Sequence, residues 1–305
     1  MKFLVLSLAI FALTATVKAQ QTRIIPCNFF SSDGFYNCQI NDVAVIDDNN
    51  QNFRFTGQHQ PFMSDSSVTR ILISSARIPF VINQLFTTFP NVRVYDNNNG
   101  GLNRVQTESF VNSKNMLILS IRKTPSLRQI DQEAFRNAPN LVSLTLDSNG
   151  IETIHPRAFV GIERLVSLIL SENQIHQLDS NVFSPLRQLQ FVDIGSNRLE
   201  TLSGSLFSNN PAVSTMIISN NQINAIERTF LENLLNLSTL IALENRCING
   251  QWFNVAANII RTALSTCFAN FENQPQPEGE LRRFVLELRG PLSLRFENGT
   301  EIVRV

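Results

Sequence analysis

The sequence predicts an α/β repeat solenoid: a curved stack of similar units, about eight parallel strands on its concave face, and a disulfide-tied cap at each end. Three observations predict it. Apolar residues return every 24 residues at Leu141, Leu165, Leu189, Val213 and Leu237, and periodicity of that size marks a repeat array. The four cysteines, Cys27, Cys38, Cys247 and Cys267, all flank the periodic stretch. Composition completes the picture: 43% of the 305 residues are hydrophobic, and 25 Lys+Arg balance 25 Asp+Glu. That supplies a core and argues against both a basic nucleic-acid binder and an acidic disordered chain.

Met1-Lys2, the apolar run Phe3 to Leu13 and then Val17-Lys18-Ala19 read as a secretory signal over 1–19, cleaved before Gln20. A secreted, extracellular protein is expected. No later segment approaches the run of about 20 apolar residues that a membrane-crossing helix needs, and the closing Glu301-Ile302-Val303-Arg304-Val305 is not an apolar anchor signal. An oxidising compartment turns the cysteines into two disulfides, although four allow three pairings. Seven strand spacings of about 4.8 Å hold the ends of the array roughly 34 Å apart, whereas bridged Cα atoms lie within about 7 Å. Cys27 therefore pairs with Cys38, and Cys247 with Cys267. Zinc is the rival reading, but no paired CxxC spacing accompanies the three histidines; no metal or cofactor is expected.

An N-terminal cap is expected over 20–67, with Val43-Ala44-Val45-Ile46 and Phe53-Arg54-Phe55 as parts of an antiparallel ribbon. The repeats follow over 68–245. One unit reads Leu141, Leu144, Leu146, Asn149, Ile151, Ile154, Phe159, and the next Leu165, Leu168, Leu170, Asn173, Ile175, Leu178, Phe183; Leu189 to Phe207 and Val213 to Phe230 repeat the offsets. Three looser units open at Val68, Phe89 and Met116, so their lengths drift through 21, 27 and 25 residues. Side chains alternate along a strand, so offsets 0, 3 and 5 point inward. Asn149, Asn173, Asn197, Asn221 and Asn245 form a ladder within the turn after each strand, where a lost partner costs about 1–3 kcal/mol. Asn97 holds that slot in the second unit, while Ala76 and Thr124 hold it in its neighbours. Phe159, Phe183 and Phe207 stack as an aromatic spine that ties units together.

The offsets LxxLxLxxNxL resemble extracellular leucine-rich repeat proteins. Ile71-Leu72-Ile73, Ile78-Pro79-Phe80 and Phe86-Thr87-Thr88-Phe89-Pro90-Asn91-Val92 look like the first repeats of secreted insect members, a group that includes leucine-rich immune proteins. The resemblance implies binding of a protein or glycan on the concave sheet, in innate defence or extracellular recognition. This sequence departs from many relatives in having two cysteines per cap and no coiled-coil heptads.

Outward positions follow from the same register. Offset 4 gives Leu72, Arg93, Ser120, Thr145, Ile169, Asp193, Ile217 and Ile241; offset 2 includes Phe191; offset 6 includes Tyr95, Arg122 and Asp147. Ile169, Phe191, Ile217 and Ile241 make an apolar strip, and exposed apolar patches mark interaction sites. Arg70, Arg93, Arg122 and Lys123 make the first half basic, whereas Asp147, Glu172, Asp193 and Glu244 make the second acidic, a polarity that would orient a partner. The candidate ligand-binding residues are Arg93, Tyr95, Arg122, Asp147, Ile169, Phe191, Asp193, Ile217 and Ile241. The competing reading is structural, since β-branched residues suit strands and charges solvate a face.

Beyond the repeats, Trp252, Val255, Ile259, Ile260, Ala263, Leu264 and Cys267 fall at helical spacing, predicting a helical cap over 246–270. Residues 271–305 read as a linker around Pro275-Gln276-Pro277 and a hairpin turning at Asn298-Gly299. Asn236-Leu237-Ser238 and Asn298-Gly299-Thr300 are glycosylation sequons; the first precedes a strand that would enclose it, so Asn298, in a turn, is the better candidate. His59, His155 and His176 meet no nucleophile motif, and phosphate loops and GxSxG are missing. A binding module is expected rather than an enzyme, its partner an extracellular protein or glycan. The alternative is a matrix component whose repeats associate into homo-oligomers.

Overall fold

The computed structural model describes residues 22–44 and 52–274. The secretory signal, Val45-Ile46 of the expected ribbon, the tail hairpin and the Asn298 sequon lie outside the described residues.

A single eleven-stranded sheet runs through the molecule. Its centre is eight parallel strands, one per unit: Arg70–Ser74, Val94–Asn98, Ile118–Arg122, Ser143–Thr145, Ser167–Ile169, Phe191–Asp193, Thr215–Ile217 and Thr239–Ile241. The aliphatic residues at offsets 0, 3 and 5 are buried in one continuous core, because a single unit cannot cover its own apolar face. The opposite side is built mainly from turns and two-residue strands. Helix is confined among the described residues to Gln84–Thr88, Ala257–Ala263, Ser265–Glu272 and two short 3₁₀ turns.

Strand pairing corrects the second unit. Phe89-x-x-Val92-x-Val94-x-x-Asn97 imitates the repeat pattern, yet Ile71 lies beside Tyr95 and Ile73 beside Asn97, so the unit opens at Val92. The drift in length then disappears: Val68, Val92 and Met116 are 24 residues apart, and one extra residue precedes Leu141. Backbone geometry marks the same register. Seven residues after each opening the chain turns left-handed, with φ of 50° at Ser75, 61° at Asn99, 53° at Lys123, 56° at Ser148 and Glu172, 51° at Ser196, 53° at Asn220 and 54° at Glu244. Side chains tolerate that conformation only where surrounding structure holds it.

Asparagines do the holding. Asn197 Nδ2 donates to Ile194 O of its own unit at 3.1 Å and to Leu170 O of the preceding one at 3.0 Å, while its Oδ1 accepts from Ile175 N at 3.0 Å. Asn149, Asn173, Asn221 and Asn245 bridge in the same way. The second unit solves the problem differently. Gly100, not Asn97, occupies the ladder slot, and Asn97, reaching over from offset 5, accepts from Gly100 N at 3.1 Å. A Cβ on Gly100 would sit 2.2 Å from Asn97 Oδ1, so the two residues exchange roles.

The aromatic spine is longer than the sequence reading had it. Phe86, Phe110, Phe135, Phe159, Phe183, Phe207 and Phe230 follow one another with ring centroids 5.1–6.2 Å apart. Phe89 instead packs against Phe29 and Phe55 of the N-terminal cap, with centroids 6.1 and 5.5 Å away.

That cap also departs from expectation. Its antiparallel pair is Asn28–Ser32 with Phe35–Asn41, closed at Asp33-Gly34, whose φ values of 52° and 78° suit a tight two-residue hairpin. Phe53 to Phe55 lie in Asn52–Thr56, which runs parallel to Thr22–Pro26. Phe35–Asn41 pairs in parallel with the first unit, and Asp42 turns left-handed at φ 54° beside Ser75; the cap contains a degenerate repeat. Cys27 and Cys38 are joined, their Cα atoms 5.4 Å apart. At the other end Trp252 is not helical: Gln251–Trp252 pairs antiparallel with the last strand. The helix Ser265–Glu272 then carries Cys267, joined to Cys247 across 5.1 Å. Asn270 Nδ2 donates to Asn224 O at 2.8 Å and Arg228 pairs with Glu272 at 2.7 Å, holding this helix on the last repeats.

The exchange between Asn97 and Gly100 is testable by a double-mutant cycle in urea unfolding. Gly100→Ala should cost at least about 1 kcal/mol more in the wild-type background than beside Asn97→Ala, because the clash needs both side chains. Equal costs would contradict the swap.

Candidate functional site on the exposed face of the sheet

Short strands leave few outward positions, so each unit contributes offsets 2, 4 and 6. In the corrected register Ile169, Asp193, Ile217 and Ile241 are consecutive neighbours in one row. Phe191 stands one row over, between Ser167 and Thr215. All five side chains are half-buried on the solvent side. The strip and the aspartate inside it are thus brought together as one surface.

Asp193 is the unusual member. A carboxylate between two isoleucines loses hydration, and burial pushes its carboxyl above the ordinary aspartate range, with Asp147 and Glu172 adding to the rise. Hydrogen bonds from Gly195 N, at 2.9 Å, and from Ser171 oppose it. Gly195 matters sterically too, since a Cβ there would sit 3.1 Å from Asp193 Oδ1. The two acids close by are linked through one hydroxyl: Ser148 Oγ lies 3.0 Å from Asp147 Oδ2 and 2.7 Å from Glu172 Oε2. No Lys or Arg occupies an outward strand position from Ser143 to Leu243. This half of the face offers apolar area around concentrated negative charge.

The expected basic half does not form. Tyr95 points into the core, 1% exposed, against Phe86 and Phe110 at 5.9 and 5.7 Å. Burial pushes its hydroxyl up to about 12, despite an opposing bond from Asn97 and with Asp96 adding to the rise. Arg93, one residue past the opening of its unit, leaves the face for the flank at the strands' N-terminal ends. Arg70 is clamped by the cap: Nε donates to Asn37 Oδ1 at 2.5 Å, Nη2 to Ser32 Oγ at 2.7 Å, and the guanidinium lies over Phe35 at 4.8 Å. Arg122 stays on the face but lies 3.6 Å from Asp96. The sequence register put that aspartate at offset 7, past the strand, whereas it stands at offset 4 beside Ser120. Asp96 Oδ1, Ser120 Oγ and Arg122 Nε are buried there without hydrogen-bond partners, and constant 24-residue spacing from Val68 is the signal that places Asp96.

The histidines are structural or peripheral. His59 stacks on Phe29 at 3.9 Å and binds Tyr36 Oη and Asp65 at 3.1 and 3.0 Å, while His155 and His176 lie exposed beyond the strands. Asn236 is exposed, and its Nδ2 donates to Pro211 O at 2.8 Å.

Residues 139–199 match the family model described as leucine rich repeat. No curated protein matches. The solved structure titled "Crystal structure of TLR13-ssRNA13 complex" is similar at a TM-score of 0.47 and 17% identity, the likeness covering 60% of this chain and 30% of that one. Among the described residues no helix is long and apolar enough to cross a membrane.

Asp193 carries a pH signature. Its folded-state carboxyl is raised, so it favours folding fully only below the unfolded value of about 3.9, and that contribution fades as pH rises through the folded value. Asp193→Asn keeps an acceptor for Gly195 N and should raise the thermal midpoint at neutral pH, with the gain vanishing in acid. An unchanged or lowered neutral midpoint would contradict a burial-raised carboxyl.

Proposed function

We propose that this protein is a secreted recognition module whose sheet face from Ile169 to Ile241 seats an extracellular protein, with no chemistry performed on it. One observation carries the reading: a half-buried carboxylate in the middle of an apolar strip, beside two further acids and no base at an outward strand position. Scattered solvating charges need no such arrangement. Half-buried Ile and Phe supply area that a partner covers, and uncompensated carboxylates select a cationic group within it and disfavour acidic competitors. Secretion is supported by the terminal signal pattern and by the two disulfides. Resemblance of the first repeats to secreted insect proteins supports a role in defence or recognition.

Purified full-length protein, coupled to a matrix, should retain a partner from extracellular fluid of its source at physiological salt. Phe191→Ser with Ile217→Ser should abolish retention while leaving circular dichroism and the two disulfides intact. Equal retention by the variant would overturn the assignment. Concentration-dependent light scattering without added partner, abolished by the same substitutions, would instead identify a self-associating matrix component.

We propose that Asn236 is glycosylated, a reading its exposure supports. Its amide spends one hydrogen on Pro211 O, leaving the other side open, so intact mass should drop by one glycan in Asn236→Gln. An unchanged mass would exclude the site.

A further inference from the structure

A second surface lies away from the sheet face. At the N-terminal ends of the strands a cleft of about 730 Å³ runs across five units, lined by Ser66, Thr69, Asn91, Arg93, Asn115, Leu117, Asn140, Val142 and Arg164. The lining contains two guanidinium groups and no carboxylate. The acids nearest in sequence are turned elsewhere: Asp65 pairs with His59 at 3.0 Å, and Glu163 accepts from Gly161 N at 2.9 Å. Arg93 has no ion-pair partner among the described residues, and Arg164 Nη1 is held by Asn140 Oδ1 at 2.8 Å.

The walls are built in advance. One residue before each unit opens, Asn91, Asn115 and Asn140 donate Nδ2 to Ser66 O, Pro90 O and Lys114 O of the preceding unit, at 2.9, 3.0 and 2.8 Å. This second asparagine ladder pins the cleft and leaves the Asn91 and Asn115 side-chain oxygens without a partner among the described residues. Leu117 and the 41% exposed Val142 form an apolar floor between them. Backbone groups along the floor are already spent, since Arg93 N, Leu117 N and Val142 N bond to Thr69 O, Arg93 O and Leu117 O, each at 2.8 Å.

We infer that this cleft binds an anionic oligosaccharide, its sulfate or carboxylate groups paired with Arg93 and Arg164 and its hydroxyls with the asparagine amides. Guanidinium forks suit sulfate and carboxylate oxygens. The arginines stand three strands apart, about 14 Å, a span for a chain of several sugars. An acidic peptide is the poorer occupant, because the spent backbone denies it the strand-like pairing that gives extended peptides their affinity.

The test uses full-length secreted protein and titration calorimetry at physiological salt, with a sulfated glycosaminoglycan oligosaccharide, its desulfated counterpart, an acidic peptide of equal charge and a single-stranded RNA. The sulfated sugar should bind, the other three should bind at least about tenfold more weakly, and Arg93→Ala with Arg164→Ala should weaken the sugar by a similar factor, about 1.4 kcal/mol. Arg104→Ala with Arg198→Ala, which removes two exposed arginines outside the cleft, should change affinity less than twofold. No binding of the sulfated sugar, equal loss in both double variants, or tighter binding of peptide or RNA would each overturn the proposal.

Discussion

Everything in this molecule depends on satisfying the backbone groups that the chain leaves unpaired as it turns away from each short strand. A strand of three to five residues cannot continue its ladder into the turn, and the turn is buried against its neighbours. The asparagine at offset 8 meets that need by donating to carbonyls of two successive units and accepting one amide from the preceding unit. Because each asparagine spends one donated and one accepted bond on the preceding unit, the requirement for local satisfaction becomes the force that aligns the stack. The chain turns left-handed just before offset 8 in all eight units, whether an asparagine or Ala76, Gly100 or Thr124 follows.

Once alignment is fixed, function is distributed by position. Offsets 0, 3 and 5 are consumed by the core, and offset 8 by the ladder. What remains free is the outward face at offsets 2, 4 and 6 and the flank before each strand. The face concentrates apolar area and negative charge over the later units; the flank concentrates positive charge over the earlier ones. The two surfaces differ in sign as well as in place, so the two partners proposed for them would not compete. Asp193, half-buried between isoleucines, is the kind of departure from stability rules that natural sequences keep mainly where function requires it.

Most of the regular array was legible in the sequence, since from Leu141 to Asn245 aliphatic offsets and asparagines agree with one another in every unit. The second unit was not. Phe89, Val92, Val94 and Asn97 satisfy the pattern by coincidence, and a pattern of residue types cannot see that a tyrosine at offset 3 and an asparagine at offset 5 will pack inward when a glycine vacates the next slot. Constant spacing was the better guide: Val68 to Val92, and Phe86 to Phe110, each span 24 residues. That single slip moved Arg93 and Tyr95 onto a face they do not occupy and concealed Asp96. In the cap, Asp33-Gly34 carried the hairpin signal, whereas Phe53 to Phe55, expected in an antiparallel ribbon, pair in parallel with Thr22–Pro26. The flank cleft was invisible because its asparagines fall between recognised offsets and matter only through carbonyls of the unit before.

The measurement that tests the stack most directly is amide hydrogen exchange at Thr124, Ile151, Ile175, Leu199 and Ile223, whose N–H groups each donate to the ladder asparagine of the following unit. These five sites sit in turns, yet they should exchange as slowly as the strand amides of Leu168 and Val192. Exchange at the rate of exposed turns would show that the units are held together in some other way.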